Sequence, residues 1–174
     1  MDWVPVGYIT KTHGLKGEVK LKPSLADPDP SLVQDVRRAR IVGDDGDSVE
    51  TELEKVRGQG GRWIVKFKDF KTIEQAQDLV GRSLEIYCED FQPLPQGEYY
   101  WFQIEGLQVY DEAGRYYGTV NEIIVTGSND VYVVQDGDKE LLLPMIDSVV
   151  KSIDTKENKL IFHVIEGLLE DYPV

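Results

Sequence analysis

The sequence predicts an all-β protein made of two small domains, and three observations carry that reading. In segment after segment, apolar residues alternate with polar ones at period two, as in strands with one buried face. Clusters rich in Asp, Gly and Asn separate these segments at hairpin spacing. Near the middle, Phe91-Gln-Pro-Leu-Pro-Gln-Gly97 has neither helical nor strand period and has linker composition. The expected organisation is a first domain over residues 1–90, a linker over 91–98 and a second domain over 99–174. Two halves of a 174-residue chain lie near the lower end of independent stability.

The first two strands are expected at 4–9 and 18–21. Val4, Val6 and Tyr8 alternate, and after a break Val19 and Leu21 alternate with Glu18, Lys20 and Lys22. Between them, Gly7, Gly14 and Gly17 allow backbone angles closed to other residues, so Thr12-His-Gly-Leu-Lys-Gly17 reads as a tight, shaped connection. Lys11, His13, Lys16, Lys20 and Lys22 stand there against Glu18 alone, a positive island in an acidic chain.

Further strands are expected at 39–42, 48–57, 62–67 and 83–87, with Asp44-Asp-Gly-Asp47 and Gly58-Gln-Gly-Gly61 as hairpin loops. The alternation of Trp63, Val65 and Phe67 with Arg62, Ile64, Lys66 and Lys68 turns the aromatic rings to the core and the basic groups outward. One helix interrupts the strands. Thr72 and Gln75 make a capping box, Ile73, Ala76, Leu79 and Val80 an apolar stripe, and Gly81 a stop. Followed at once by a strand, it suits a plug over the open end of a small barrel.

In the second domain, hairpins are expected to pair 107–110 with 116–125, 131–135 with 141–143, and 148–153 with 160–164. The closing Glu166-Gly-Leu-Leu-Glu-Asp-Tyr-Pro173 reads as a turn or helical cap. Tyr99-Tyr100-Trp101-Phe102 precedes them. As an extended segment its side chains would point alternately to two sides, leaving about half outside one core. Tyr99, Tyr100 and Trp101 are therefore either anchors for a protein partner or a staple between the domains; Tyr116 and Tyr117 are a weaker pair of the same type.

Composition bounds the function. The chain carries a net charge of −13, with 41% hydrophobic and 29% charged residues. No apolar run approaches the ~20 residues of a membrane span, the N-terminus has no signal-peptide pattern, and one cysteine, Cys88, permits no internal disulfide. A cytoplasmic location without membrane association is expected. The charge is divided unevenly. Residues 1–90 hold 14 basic and 17 acidic side chains, a net of −3, and residues 91–174 hold 5 and 15, a net of −10. The first half tolerates RNA and the second would attract a basic protein, unless the asymmetry is ordinary surface variation.

Sites for chemistry are few. His13 beside Glu18 lacks a nucleophile, a second carboxylate or a metal-ligand spacing, and two histidines and one cysteine far apart do not make a transition-metal site. The acidic turns lack the closing glutamate of a calcium loop. Gly58-x-Gly60-Gly61 precedes a strand and lacks the Lys-Ser/Thr pair of a phosphate loop. No catalytic residue, metal or cofactor is expected.

Gly7-x-Ile9-x-x-x-His13-Gly14-x-x-Gly17-Glu18-Val19, followed by Pro23 and Asp27-Pro28, resembles the opening signature of the RimM family of ribosome maturation factors. Tyr99-Tyr100-Trp101, Gly106-Leu107-x-Val109, Gly118-x-Val120, Asn129-Asp130-x-Tyr132-x-Val134, Leu142-Leu143-Pro144 and Glu166-Gly167-Leu168-Leu169 follow in the order of that family's second domain. The resemblance implies a six-stranded translation-factor-like barrel followed by a PRC-barrel. It implies a monomeric, non-enzymatic factor that binds the precursor of the small ribosomal subunit and its head protein, small-subunit protein nineteen (uS-nineteen), and assists late rRNA maturation, with no DNA partner. It also points to Tyr99 and Tyr100 as functional positions, with Trp101 beside them. Lys11, His13, Lys16, Lys20, Arg62, Lys66 and Lys68 are the candidate rRNA contacts, and Gly7, Gly14, Gly17 and Glu18 shape the motif. The competing reading is a two-barrel protein-interaction scaffold with no RNA role.

Overall fold

A computed structural model describes residues 3–24, 29–170 and 172; the Asp27-Pro28 part of the opening signature, and Asp171 and Pro173 of the closing segment, lie outside the described residues. The chain divides into two compact units, Met1–Pro93 and Leu94–Val174.

The first unit is a closed six-stranded barrel. Its strands are β1 (Trp3–His13), β2 (Glu18–Pro23), β3 (Arg38–Val42), β4 (Ser48–Gln59), β5 (Arg62–Phe67) and β6 (Ser83–Tyr87), hydrogen-bonded in the order β1-β2-β5-β4-β3-β6. β6 closes the ring on β1, where Trp3 lies opposite Tyr87 and the two rings meet edge to face with centroids 5.2 Å apart. Val4, Val6, Ile9, Val19, Leu21, Ile41, Trp63, Val65, Phe67, Leu84 and Ile86 are buried. The alternation fails at Tyr8, expected inward with Val4 and Val6 but 43% exposed, because a register shift between Pro5 and Gly7 passes the inward parity to Ile9. It fails also at Ile64, expected outward but buried.

The helix α1 (Ile73–Gln77) begins at Thr72, whose Oγ1 accepts from the Gln75 N–H in a capping box. It packs on β1 and β2 through buried Ala76. Its exit is tied to β1 by two backbone bonds of 2.9 Å, Gly81 N–H to Ile9 O and Ile9 N–H to Arg82 O.

Three more features differ from the sequence reading. β1 runs on to His13, because a bulge between Ile9 and Lys11 re-phases the strand so that it continues pairing with β2; Lys11 and His13 are strand residues and not part of a loop. Phe91, assigned to the linker, is buried. Two 3-10 turns, Pro30–Val33 and Cys88–Asp90, add to the expected elements; neither has enough length to show a period.

The second unit holds α2 (Trp101–Ile104) and the strands β7 (Gln108–Asp111), β8 (Tyr116–Ile124), β9 (Val131–Asp136), β10 (Lys139–Pro144), β11 (Val150–Asp154) and β12 (Lys159–Phe162). They form one six-stranded sheet in the order β10-β9-β8-β7-β12-β11. The three expected hairpins are present. The link that joins them could not be read from turns: β12 runs parallel to β7, pairing Leu160 with Val109. The core gathers Ile104, Leu107, Val109, Tyr117, Val120, Tyr132, Val134, Leu141, Leu143, Leu160 and Phe162, with Leu168 and Leu169 of the closing turns packed on it. Gly118 has φ +126°, and a Cβ there would lie 2.2 Å from the Gln135 carbonyl oxygen, so β8 and β9 approach at a spacing that needs glycine.

Candidate nucleic-acid and protein contact surfaces

The barrel register gathers the positive island of the opening hairpin and the basic side chains of β4 and β5 onto one outer face. Across β1, β2, β5 and β4, one row reads His13, Glu18, Lys66, Lys55 and the next Lys11, Lys20, Ile64, Arg57. Lys22 lies opposite Tyr8, and Arg62 opposite Gln59. Seven lysine and arginine side chains from four strands share this face with Glu18, and Glu52 and Glu54 are exposed further along β4.

Glu18 is neutralised in place. Arg57 grips it with two bonds, Nη1 to Oε1 at 2.6 Å and Nη2 to Oε2 at 3.2 Å, the forked geometry that favours a carboxylate–guanidinium pair. Its carboxyl is held below the ordinary glutamate range, first by the Arg57 hydrogen bonds, then by the charges of Arg57, His13 and Lys55 against an opposing effect of burial. A depressed carboxylate stabilises the fold above its unfolded value of about 4.3, and that contribution fades as pH falls below it and through the folded value. Glu18→Gln is therefore expected to lower the urea midpoint at pH 7 and to approach the parent as pH falls toward 3. An unchanged gap across that range would refute the assignment.

Of the candidate rRNA contacts, the structure brings Lys11, Lys20 and Arg62 together. With Thr10 they line an open depression of about 340 Å³, and Thr10 Oγ1 donates to the Lys20 carbonyl at 3.1 Å. Among the described residues, no acidic side chain lines it. Lys16 is exposed in the turn between β1 and β2, and His13 lies in the Glu18 row. Lys66 and Lys68 are otherwise engaged, the first donating to the Phe70 carbonyl and the second paired with Glu52 at 2.9 Å.

The motif glycines hold the hairpin in place. Gly17 has φ +80°, and a Cβ there would lie 2.2 Å from the Phe70 carbonyl oxygen that Lys66 also binds. Gly7 lies opposite Pro23 in the β1–β2 ladder, and Gly14 turns the hairpin with open space around it. Sequence reasoning missed Lys55 as a member of this face. The β4–β5 ladder shifts between Leu53 and Lys55, and a bulge leaves no trace in a simple alternation.

The aromatic cluster differs from the expected extended segment. Tyr100 is the N-cap of α2, its N–H donating to Gln103 Oε1 at 2.8 Å. Its own backbone is still extended, at φ −71° and ψ 151°, and the helical turn that starts at Trp101 folds the chain back. Tyr100 thereby stacks on Phe102 with centroids 5.3 Å apart and planes 8° from parallel. Trp101 meets both rings edge to face, at 6.2 Å and 5.2 Å. Tyr99 donates its hydroxyl to the Ile153 carbonyl at 3.3 Å and packs on the core. It lines a depression of about 370 Å³ with Met145, Ile146, Val150 and Lys151. Burial, reinforced by Asp130 and Tyr99, pushes the Tyr132 hydroxyl up to about 12.

Among the described residues, no three His, Cys, Asp or Glu side chains come together as a metal-binding group, and no helix is long and apolar enough to cross a membrane.

Comparison with known proteins gives these surfaces a family. The RimM N-terminal domain matches residues 4–91, and the PRC-barrel domain matches residues 96–169. The ribosome maturation factor RimM of Geotalea uraniireducens is 36% identical over 169 residues, covering 97% of this chain and 96% of its own. That of Desulforamulus reducens is 36% identical, covering 97% and 98%, and that of Limosilactobacillus fermentum 38%, covering 97% and 99%. With both domains matched in order and full-length relatives well above 30% identity, the chain belongs to the RimM family of ribosome maturation factors.

Proposed function

We propose that this protein is a non-enzymatic assembly factor of the small ribosomal subunit. Its first unit contacts rRNA of the immature subunit through backbone phosphates, and its acidic second unit holds the basic head protein uS-nineteen. The observation that carries the reading is the separation of charge. A face with seven lysine and arginine groups, on which Arg57 neutralises Glu18, lies on the first unit, and residues 94–174 carry 15 acidic groups against 5 basic ones.

Phosphate contact by lysine and arginine on a sheet face favours recognition by backbone and shape over base stacking. Lys11, Lys20 and Arg62 form its centre, with Lys16 and His13 at the hairpin end; Lys66 and Lys68 contribute mainly to the local field. Tyr99, Tyr100 and Trp101 order the start of the second unit and supply part of its partner surface. Acting by binding alone, the protein favours one arrangement of rRNA and head protein and leaves when the mature surface competes for its site. Cytoplasmic location follows from that role.

The test is binding of the full chain to purified immature subunits over a series of salt concentrations, with binding to isolated uS-nineteen measured beside it. The expected result is binding to both targets, with log affinity for immature subunits falling linearly against log salt. Binding to uS-nineteen without any affinity for immature subunits or rRNA would replace this reading by a protein-interaction scaffold.

A further inference from the structure

The second unit carries a surface that the aromatic cluster does not account for. On the outer side of the sheet, opposite the core, the register of β10, β9 and β8 lays out three rows: Glu140, Gln135, Thr119; then Leu142, Val133, Glu122; then Pro144, Val131, Ile124. The last two rows make an apolar patch where an antiparallel sheet ordinarily meets water with polar groups. Leu142 is 51% exposed and Ile124 41% exposed. Val133 between them is 5% exposed yet lies outside the core cluster that its neighbours Tyr132 and Val134 join.

The rim of this patch has one sign of charge. Glu122 and Glu140 are exposed on the same face, and Glu140 Oε2 accepts from Gln135 Nε2 at 3.4 Å. The carboxyl of Glu105 is raised, first by burial and then by the nearby charge of Glu122, so an incoming cation would relieve a repulsion already present. β8 and β9 contain no lysine or arginine. Lys139, the basic residue of β10, has the parity of core-facing Leu141 and Leu143 and sits 5.8 Å from the Tyr172 ring. The patch is also continuous with the depression beside Tyr99: its third row ends at Pro144, and the next two residues, Met145 and Ile146, line that depression.

We propose that the outer face of β8, β9 and β10 is the docking surface for a basic protein segment, with Leu142 and Ile124 packing its apolar side chains and Glu122 and Glu140 pairing with its cations. An apolar centre inside a charged rim matches the anatomy of a protein interface. The uniformly acidic rim selects a basic protein over a nucleic acid and over a second copy of this acidic unit. The proposal rests on the reading of the second unit as the protein-binding half, and the surface runs on into the Tyr99 region.

The experiment uses the full chain and purified uS-nineteen, with binding measured by calorimetry and folding checked by near-ultraviolet circular dichroism. Leu142→Asp is expected to weaken binding by tenfold or more, with Ile124→Asp acting in the same direction and Leu142→Met close to the parent. Glu122→Lys with Glu140→Lys is expected to slow association and flatten its salt dependence. If the parent binds and both aspartate variants bind equally well, the docking surface is wrong while the assembly-factor reading stands. If those variants instead abolish a concentration-dependent dimer and leave binding unchanged, the face is a contact between copies. If the parent does not bind, the broader reading falls and takes this proposal with it.

Discussion

Gly17→Ala is expected to destabilise the first unit by about 3 kcal/mol or more, adding the roughly 1–2 kcal/mol cost of a left-handed backbone to the roughly 1–3 kcal/mol of forcing atoms into a packed site. Its φ is +80°, and the atom that the new methyl meets is a backbone carbonyl oxygen 2.2 Å away, which cannot rotate aside as a side chain would. Against a typical total of about 5–15 kcal/mol, this lowers the unfolding temperature by roughly 15 °C for a domain of this size. Gly14→Ala is the control. Its φ is +64° with nothing within 4 Å, so it carries only the backbone cost of about 1–2 kcal/mol. Calorimetry of the two variants checks the argument: equal destabilisation would mean that the clash with Phe70 is relieved by a small shift.

Combined replacement of Lys11, Lys20 and Arg62 by alanine is expected to have the largest effect on subunit binding. Each phosphate that is no longer neutralised reduces the slope of log affinity against log salt by about 0.7 to 0.9, so removing three cations reduces it by about 2 to 3. These side chains project from a barrel strand face around a depression without an acidic group among its described residues, so the change is electrostatic and leaves the core intact. Lys68→Ala is the comparison, because its ammonium is already paired with Glu52 at 2.9 Å and surface pairs contribute little. A salt slope that does not change in the triple variant would remove this face from the RNA interface.

The strands and hairpins are legible in the sequence because their signals are local: alternation over a few residues and a turn chemistry between them. The capping box at Thr72 and Gln75 is legible for the same reason. What escapes is non-local or irregular. The bulge between Ile9 and Lys11 turns an apparent loop into strand, and four adjacent aromatic residues give no period from which to foresee that Trp101 begins a helical turn. The basic face needs β2 beside β5, with Glu18 opposite Lys66, and no pattern in one sequence states which strands become neighbours. Composition shows that the halves differ in charge; only the register shows Arg57 cancelling Glu18.

The way each unit is closed also sets the order in which the chain can fold during its own synthesis. The first ring is complete only when Tyr87 reaches Trp3, a pairing of the two ends that makes every earlier arrangement an open sheet with free edges. The second unit must likewise wait for Lys159–Phe162 to be made before β7 gains its parallel neighbour. Long-range pairings of this kind are slow to form. Because domains generally fold as units with the N-terminal one first, the unit with the basic face can be finished while the strongly acidic second unit is still being translated.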